Sequence, residues 1–376
     1  MFLTKKGGYL KKILLLCILT IASLATTLED KYPSYSYVFD EFDVDADYIY
    51  NDQFIAFVKR NHKRYKNFYQ HSLTRGGYLI PTFKSMLIQD DLSDLFVYLA
   101  MVESGFQTDA LSSKKATGIW QFMKATAKQY KLDVNSNFDE RLDPILATSA
   151  AMRYLHKLHN DFGKWYLAMM AYNCGEGRLQ KGIDRAGSDE LAVLMNPSAG
   201  YLPKETRLYI NKILLVSMIG ENITLGFGEV EGELTQLYGE EVVQVEVEAG
   251  ERLDYIAKMI DMKPKDLLKI NHHFKNGTVP VSLPRYTMNI PADKVVDFYA
   301  TYVLKKELER NAKNHFLSHI VTEGESLAQI ASRYNLTINE LIASNSKYKG
   351  KIVEGQLWVV PVTKEVFETF VNKDIE

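Results

Sequence analysis

The sequence YLAMVESGF at residues 98–106 places one glutamate at the end of an apolar run that spans residues 92–102. The run is too long for a typical strand, and we interpret it as a buried helix. At about 100° per residue, Glu103 falls between Leu99 and Phe96 on an apolar face of this helix. Burial disfavours the charged form of a carboxyl group, so the pattern predicts a proton donor at neutral pH. The helical pattern alone is also compatible with a structural glutamate in the core that is neutralised by an arginine or by hydrogen bonds.

The sequence on either side of this run also has a helical character. No alternating strand pattern occurs between about residues 45 and 225. Asp143 is a good N-cap, and Pro144 suits the first position of a helix that is expected to run to Gly163. Another helix is predicted from Lys204 to Ile219. We therefore expect an all-helical domain.

Two short segments bring aromatic, amide and glycine residues together. They are TGIWQFM at residues 117–123 and AYNCGEGRL at residues 171–179. Flat aromatic rings cover the apolar faces of sugars, amides bond hydroxyl and acetamido groups, and glycines allow close backbone approach. An aromatic residue beside a glycine is more often simple packing, but the two segments together indicate a carbohydrate site.

The pattern changes after Gly226, where valines alternate with polar residues at positions 243–248, as in a half-buried strand. A comparison of the chain with itself then reveals a repeat at an offset of about 74 residues. The matched pairs include Val247 with Val321, Gly250 with Gly324, Leu253 with Leu327, Ile256 with Ile330, Leu267 with Leu341 and Asn271 with Asn345. Each copy is predicted to contain a strand, a Gly-Glu turn, two short helices and a closing strand.

The composition fits two or three soluble domains. The chain has 376 residues, of which 46% are hydrophobic and 24% charged. Its 45 Lys and Arg residues nearly balance 47 Asp and Glu residues, so the broad basic surface of a nucleic-acid binder is not expected.

The first 25 residues have the order of a secretory signal. Lysines precede an apolar run of about a dozen residues, which is short for a membrane span of ~20 residues. Small residues at Ser23 and Ala25 favour cleavage after Ala25, and an uncleaved anchor is the alternative. Cleavage would remove Cys17 and leave Cys174 without a disulfide partner. We expect an exported protein of the periplasm or cell envelope, tethered to a membrane only if the signal is uncleaved.

Four motifs in order, YLAMVESGF, GIWQFM, AYNCGEG and LPKETRLYINKIL, carry a family resemblance. They resemble the catalytic domain of the membrane-bound lytic murein transglycosylase D group, within the lysozyme-like soluble lytic transglycosylases. The segment from His319 to Pro361, with HIVTEGESLAQIASRYNLTINELIASN, resembles a LysM module, a βααβ unit that binds glycans containing N-acetylglucosamine. The earlier copy at residues 243–291 is similar but degenerate, and it is expected to be either a glycan binder or a structural spacer.

The resemblance implies a multidomain α+β protein with an all-α lysozyme-like domain followed by two small βααβ LysM-type modules. The domain order that we predict is a signal peptide (1–25), an N-terminal helical segment (26–77), the catalytic domain (78–225), the degenerate LysM-like module (243–291), a partly helical linker (292–318) and the LysM module (319–363).

The resemblance also implies an activity and a set of site residues. Family enzymes cleave the β-1,4 bond between N-acetylmuramic acid and N-acetylglucosamine of peptidoglycan without water, which leaves a 1,6-anhydro-muramic end. Glu103 matches the catalytic acid and base, and Tyr209 matches the tyrosine that orients it. The implied substrate-binding residues are Ser104, Gly118, Trp120, Gln121, Tyr172, Asn173 and Gly175. The implied glycan-binding residues of the LysM module are Gly324, Glu325, Ser326 and Asn345.

Two other functions stay open at this point. A muramidase of the same fold would use a second carboxylate to activate water, and the candidates between the motifs are Asp133, Asp139, Glu140 and Asp143. A wall-binding protein without activity would not need Glu103. A thiol nucleophile at Cys174 is disfavoured because no histidine lies near it in sequence. His156 and His159 share a helix face but have no evident third ligand, and His272 and His273 lie in a predicted loop where adjacent side chains diverge, so we predict no metal and no cofactor.

Overall fold

The computed structural model describes residues 27–136, 138–227, 241–282 and 285–373. The predicted signal segment lies outside these residues. The α-helices of the described chain are α1 (Leu28–Lys31), α2 (Tyr35–Glu41), α3 (Asp52–Gly76), α4 (Ile80–Gln89), α5 (Val97–Ser104), α6 (Lys124–Gln129), α7 (Pro144–Phe162), α8 (Trp165–Cys174), α9 (Glu176–Ala186), α10 (Leu191–Leu194), α11 (Lys204–Thr224), α12 (Leu253–Met259), α13 (Pro264–Lys269), α14 (Val295–Phe298), α15 (Leu304–Ala312), α16 (Leu327–Arg333), α17 (Ile338–Ser344) and α18 (Lys364–Lys373).

Four strands form two antiparallel pairs. They are β1 (Val242–Glu248) with β2 (Arg285–Pro291), and β3 (His315–Ile320) with β4 (Leu357–Val362). Between β1 and β2 lie α12 and α13, and between β3 and β4 lie α16 and α17. The two segments that the repeat predicts therefore have the same strand, helix, helix, strand order.

The chain divides into two compact units. The first consists of the residues up to Asn67 and the segment from Asp161 through α11, and the second consists of Phe68–Asn160 and the chain from β1 onward. The predicted catalytic domain at 78–225 contributes to both. Its part up to Asn160 belongs to the second unit with the βααβ modules, and its part from Asp161 onward belongs to the first unit with the N-terminal segment.

In the first unit, the N-terminal segment packs against α11. Asn222 is the main polar link: its Oδ1 accepts hydrogen bonds from Ser34 N (3.1 Å) and Ser34 Oγ (2.6 Å), and its Nδ2 donates to Lys31 O (2.8 Å). Tyr48 OH lies 3.3 Å from Asn211 Oδ1 on the same helix. α11 ends at Thr224, five residues beyond the predicted end, and its last turns are buried.

In the second unit, α5 lies within the core that the apolar run predicts. It begins at Val97 rather than at residue 92, because Ser93 Oγ accepts from Leu95 N and starts a 3₁₀ turn over Asp94–Phe96. Phe83, Leu95 and Leu99 are fully buried there. The predicted helix that follows Asp143 is confirmed as α7, with Asp143 Oδ1 accepting from Ile145 N and Leu146 N.

One asparagine closes each βααβ module in the same way. Asn271 donates to Leu267 O and Asn289 O and accepts from Asn289 N, at 2.7–2.9 Å. Asn345 makes the equivalent bonds to Leu341 O, Val359 O and Val359 N, at 2.6–2.8 Å. In both modules this side chain ties the second helix to the closing strand.

Helices α14 and α15, joined by a π-helical turn, follow the first module. Phe298 and Tyr302 are buried, and the hydroxyl of Tyr302 accepts a hydrogen bond from Glu248 N. Lys306 on α15 pairs with Glu251 at 2.5 Å, and this contact with a carboxylate raises the pKa of Lys306 against the effect of burial. The predicted linker at 292–318 is thus helical from Ala292 to Ala312 and packs on the first module, whereas its residues from His315 onward belong to β3.

Candidate active site

Glu103 lies half-buried on the last turn of α5. The helix ends at Gly105, whose φ of +59° is left-handed and whose N–H donates to Met101 O at 2.7 Å. A Cβ on Gly105 would lie 2.7 Å from Arg75 Nη1. Arg75 donates from that atom to Gly105 O at 3.0 Å. The Glu-Ser-Gly sequence therefore ends the helix at a fixed point and fixes the backbone that carries Glu103.

Ser104, predicted to bind substrate, turns back along its own helix. Its hydroxyl donates to Ala100 O at 3.3 Å, and the side chain is half-buried. This bond supports the helix end beside Glu103.

The segment Thr117–Phe122, the 117–122 loop, has a tightly constrained backbone. Thr117 and Phe122 pair as an isolated antiparallel bridge, and Gly118 and Gln121 both have positive φ, +80° and +49°. The side-chain amide of Gln121 donates from Nε2 to Gly118 O at 2.8 Å. A non-glycine residue with positive φ is uncommon, and such strain concentrates at functional sites.

Arg141 supports the 117–122 loop by hydrogen bonds to backbone carbonyls. Its Nη1 donates to Lys115 O and Phe122 O, each at 3.1 Å, while Nε and Nη2 form a bidentate ion pair with Asp139 at 2.9 and 2.8 Å. Arg141 is 8% exposed. No sequence pattern marks Arg141 as a supporting residue, because nothing in the spacing relates position 141 to the 117–122 loop.

Trp120 departs from its predicted role in substrate binding. Its side chain is completely buried, 6.3 Å from the ring of Phe83, and its indole N–H donates to Thr148 Oγ1 at 2.9 Å. A ring without exposed surface offers no face on which a sugar could stack. The tryptophan instead forms the packed base of the 117–122 loop.

In the first unit, Tyr172 and Asn173 lie on the last turn of α8, both half-buried. The helix ends at Gly175, where φ is +85° and no atom lies within 4 Å of the position of a Cβ. Asn173 Oδ1 accepts from Thr206 Oγ1 of α11 at 2.9 Å. This bond orients the side-chain amide of Asn173. No sequence pattern marks Thr206 for this role.

Tyr209 lies one turn after Thr206 on α11 and is 4% exposed. Cys174 follows Asn173 and is half-buried. Burial raises the pKa of the Cys174 thiol, which keeps it protonated at neutral pH. A protonated thiol is a poor nucleophile, and the absence of a chemical role for Cys174 stays a prediction.

The candidate second carboxylates have structural partners. Asp139 is paired with Arg141, Asp143 caps α7, and Glu140 accepts from Asp133 N at 2.6 Å. Burial raises the pKa of Glu140. Asp133 is exposed, and its backbone carbonyl accepts from Glu140 N.

The histidine pairs form no metal cluster in the part of the chain that the structure describes. His156 Nε2 lies 2.9 Å from Asp90 O. His272 Nδ1 lies 3.0 Å from Thr108 Oγ1, and His273 is buried beside Phe274.

Three of the four residues predicted to bind glycan in the second module have structural roles. Ser326 caps α16 and is part of a capping box with Gln329. The Glu325 side chain is 5% exposed and bonded to His319, while Asn345 is 2% exposed and joins α17 to β4. Gly324 has a φ of +74° in the turn before α16. Glu325 and Asn345 are thus almost enclosed, whereas Ser326 is exposed. A glycan-binding role for these residues stays a prediction.

Comparison with known proteins defines the class. Residues 82–194 match the family model of the transglycosylase SLT domain, and residues 319–361 match the LysM domain. The chain thus combines a mostly helical, lysozyme-like SLT domain with a LysM domain. The family model of LysM matches the second βααβ module.

Two relatives in sequence and one solved structure are similar to parts of this chain. The chain is 30% identical over 279 residues to the membrane-bound lytic murein transglycosylase D of Escherichia coli K12, a match that covers 69% of this chain and 58% of the relative. The chain therefore spans little more than half the length of that protein. It is also 36% identical over 138 residues to the peptidoglycan transglycosylase gp16 of Escherichia phage T7, which covers 35% of this chain and 10% of the phage protein. The crystal structure of the 70 kDa soluble lytic transglycosylase from Escherichia coli aligns with a TM-score of 0.33 and 18% identity, over 55% of this chain and 32% of that one.

Proposed function

We propose that this protein is an exported peptidoglycan lytic transglycosylase. It would cleave the β-1,4 bond between N-acetylmuramic acid and N-acetylglucosamine without water and form a 1,6-anhydro-muramic end. The SLT match and the relationship to lytic murein transglycosylase D support this class of reaction. The observation that carries the proposal is the setting of Glu103, a half-buried carboxyl group on the last turn of a helix that Gly105 and Arg75 hold in place.

One carboxyl group suffices for this reaction. Glu103 in its acid form gives a proton to the glycosidic oxygen as the bond from C1 to that oxygen breaks. As a carboxylate it then takes the proton of the muramic O6 hydroxyl as O6 bonds to C1. The proton lost in the first step is regained in the second, and no water is consumed.

The other site residues are proposed with more limited roles. Tyr209 acts as a positioning residue for Glu103, as the resemblance implies. Gln121, Tyr172 and Asn173 bind the sugars, and Gly118 and Gly175 give the backbone at these places its shape. Ser104 supports the end of α5, and Trp120 supports the 117–122 loop from inside the core.

A muramidase is the competing enzyme. It needs a carboxylate that activates water, and three of the four candidates already hold an ion pair, a helix cap or a backbone N–H. Asp133, which is exposed, is the remaining candidate for a carboxylate that activates water.

The second βααβ module is proposed to hold the enzyme on glycan strands, which would raise the local concentration of scissile bonds. The lysines and apolar run of residues 1–25 support export to the periplasm or cell envelope. Among the helices that the structure describes, none combines the length and hydropathy required to cross a bilayer.

The deciding experiment is mass spectrometry of the muropeptides that the protein releases from purified sacculi. We expect products one water lighter than reducing muropeptides, and we expect Glu103→Gln to lower their rate of release by about 10²-fold or more. Asp133→Asn and Glu140→Gln are the matched carboxyl-to-amide controls and should retain activity. Reducing-end products that Asp133→Asn abolishes would establish the muramidase, and the absence of Glu103-dependent release would leave a binding protein.

A further inference from the structure

The first βααβ module differs from the second in one loop. The loop His272–Lys275, between α13 and β2, packs against the helical part of the same unit through its two central residues, and we call it the docking loop. His273 and Phe274 are each 1% exposed. Burial lowers the pKa of His273, so the imidazole is neutral in this contact although Asp143 Oδ2 lies 3.5 Å from its Nδ1.

Most contacts of the docking loop are with residues 135, 136, 138 and 139 of the helical part. Phe274 stacks on Phe138 with ring centroids 6.1 Å apart and planes 19° from parallel, and the two residues form an antiparallel bridge. Asp139 N donates to His273 O at 3.3 Å. The contact is therefore made by backbone as well as by side chains, and it fixes the path of residues 138 and 139.

Polar contacts flank this aromatic centre. Lys275 Nζ donates to Asn135 O at 3.0 Å and to Ser136 O at 2.7 Å. On the other side, His272 Nδ1 lies 3.0 Å from Thr108 Oγ1, which is buried. Three successive parts of the loop thus hold different points of the helical part.

The equivalent loop of the second module has a different composition and environment. The sequence NHHFK at residues 271–275 corresponds to NSKYK at residues 345–349. Ser346, Lys347 and Lys349 are exposed, where His272 and His273 make buried contacts. The change from serine and lysine to two histidines converts a solvated loop into one that packs, which explains why the first copy looks degenerate by sequence.

The segment that the docking loop contacts is connected by hydrogen bonds to the 117–122 loop, which contains proposed sugar-binding residues. Asp139, whose N–H binds the docking loop, forms the bidentate ion pair with Arg141. Arg141 donates to Phe122 O at the end of the 117–122 loop and to Lys115 O two residues before the loop, and its own carbonyl lies against Gly118. The ion pair and the bond to Phe122 O are buried, and the bond to Lys115 O is half-buried. Displacement of residue 139 would therefore shift the backbone at Gly118 and Gln121.

We propose that the docking loop is a positioning element of the active site. It holds Asp139 and Arg141, and through them it fixes the 117–122 loop in the geometry that binds sugar. The first module is in this view a structural part of the catalytic machinery rather than a second glycan binder. The catalytic consequence rests on the proposed function, whereas the mechanical link does not.

The first test measures the link itself by hydrogen exchange of the backbone amides of residues 115–122 in the full chain. Lys275→Ala and Phe274→Ala should each increase exchange there, and Lys275→Arg, which keeps donors within reach of Asn135 and Ser136, should restore protection. Lys349→Ala is the matched control, because it removes the equivalent lysine of the second module. Unchanged exchange in both docking-loop variants would overturn the proposal, as would an equal increase in Lys349→Ala.

The second test measures KM and kcat on soluble glycan strands at a temperature where circular dichroism shows each variant folded. A merely destabilised protein loses active molecules and keeps its KM, whereas a displaced sugar loop raises KM. We expect KM to rise by about threefold in Lys275→Ala and about tenfold in Phe274→Ala, with recovery in Lys275→Arg. Anhydro products from the wild type with wild-type KM in both variants would overturn this inference and leave the proposed function intact. If the wild type released no anhydro products, the proposed function would be overturned. The hydrogen-exchange measurement would still show whether the docking loop holds the 117–122 loop in place.

Discussion

The carbonyl oxygen of Arg141 lies 1.8 Å from the position that a Cβ atom on Gly118 would occupy. The 117–122 loop and the 139–141 segment are therefore in backbone contact, and only glycine allows it. Gly118 also has a φ of +80°, which an L-residue rarely adopts. This contact by itself accounts for a glycine at position 118.

Gly118→Ala should consequently separate the two segments. We expect a loss of more than about 2 kcal/mol in the free energy of unfolding, together with a large loss of activity, because backbone cannot move aside as a side chain can. Urea denaturation followed by circular dichroism measures the stability. Gly163→Ala is the control, since Gly163 also has positive φ but no atom within 4 Å of its Cβ position. Equal losses in the two variants would show that φ alone matters and that the contact with Arg141 is relaxed.

The buried hydrogen bond between Trp120 and Thr148 supplies a second prediction. Thr148 Oγ1 accepts from the indole and donates to Pro144 O at 2.6 Å. Thr148→Val keeps the shape but leaves the indole N–H buried without its partner, so unfolding should become easier by about 1–3 kcal/mol. Thr148→Ser keeps the hydroxyl and should lose less. A valine variant at least as stable as the serine variant in urea denaturation would contradict the role assigned to this bond.

A third prediction concerns Cys174. Because burial raises the pKa of its thiol, the thiol is protonated at neutral pH. Cys174→Ala should therefore keep kcat within about twofold of the wild type, and alkylation by iodoacetamide should be slow at neutral pH and faster in alkali. Both measurements are made in a Cys17→Ser background, so that Cys174 is the thiol observed. A tenfold loss of kcat in a folded Cys174→Ala protein would restore the thiol as a participant.

The elements of this fold follow from local patterns. The apolar run that ends at Glu103, the Asp143-Pro144 cap and the repeated modules each depend on neighbours in sequence, which set helix and strand preferences. Their packing partners could not be predicted in the same way. Trp120 looks like a sugar-stacking residue until Thr148 and Phe83 are seen to enclose it.

The same limit applies to the modules. The repeat identifies Asn271 and Asn345 as equivalent residues, but sequence alone does not distinguish a ligand contact from a bond between helix and strand. Nor does it show that His273 is buried against Phe138, because that contact joins segments more than a hundred residues apart. Long-range contacts of this kind decide which of the predicted site residues face a ligand.

The fourth prediction concerns the acid stability of the LysM domain. Glu325 Oε2 lies 2.8 Å from His319 Nε2 and accepts from Thr322 N at 3.1 Å, and Arg333 lies 2.8 Å from Oε1. The hydrogen bond from His319, followed by the bond from the Thr322 backbone, lowers the pKa of Glu325 to about 2 from an ordinary value of 4.5. The unfolded chain thus takes up a proton at a higher pH than the folded one. The stabilisation is fully present above about pH 4.5 and is lost as the pH falls toward about 2.

The indole N–H signal of Trp358, buried in the core of this domain, reports its unfolding in urea by NMR and is identified through Trp358→Phe. We expect the urea midpoint of this signal to fall as the pH is lowered from neutral to about 3, and to fall less in Glu325→Gln, which has no charge to lose. At neutral pH the same variant should already have a lower midpoint than the wild type, because the amide replaces an ionised acceptor of His319 and Arg333. Lys313 and Glu340 form another ion pair at the edge of the domain, so Glu340→Gln shows how much of the pH dependence belongs to that pair instead. An identical pH dependence in the wild type and Glu325→Gln would mean that Glu325 does not control the acid stability of the domain.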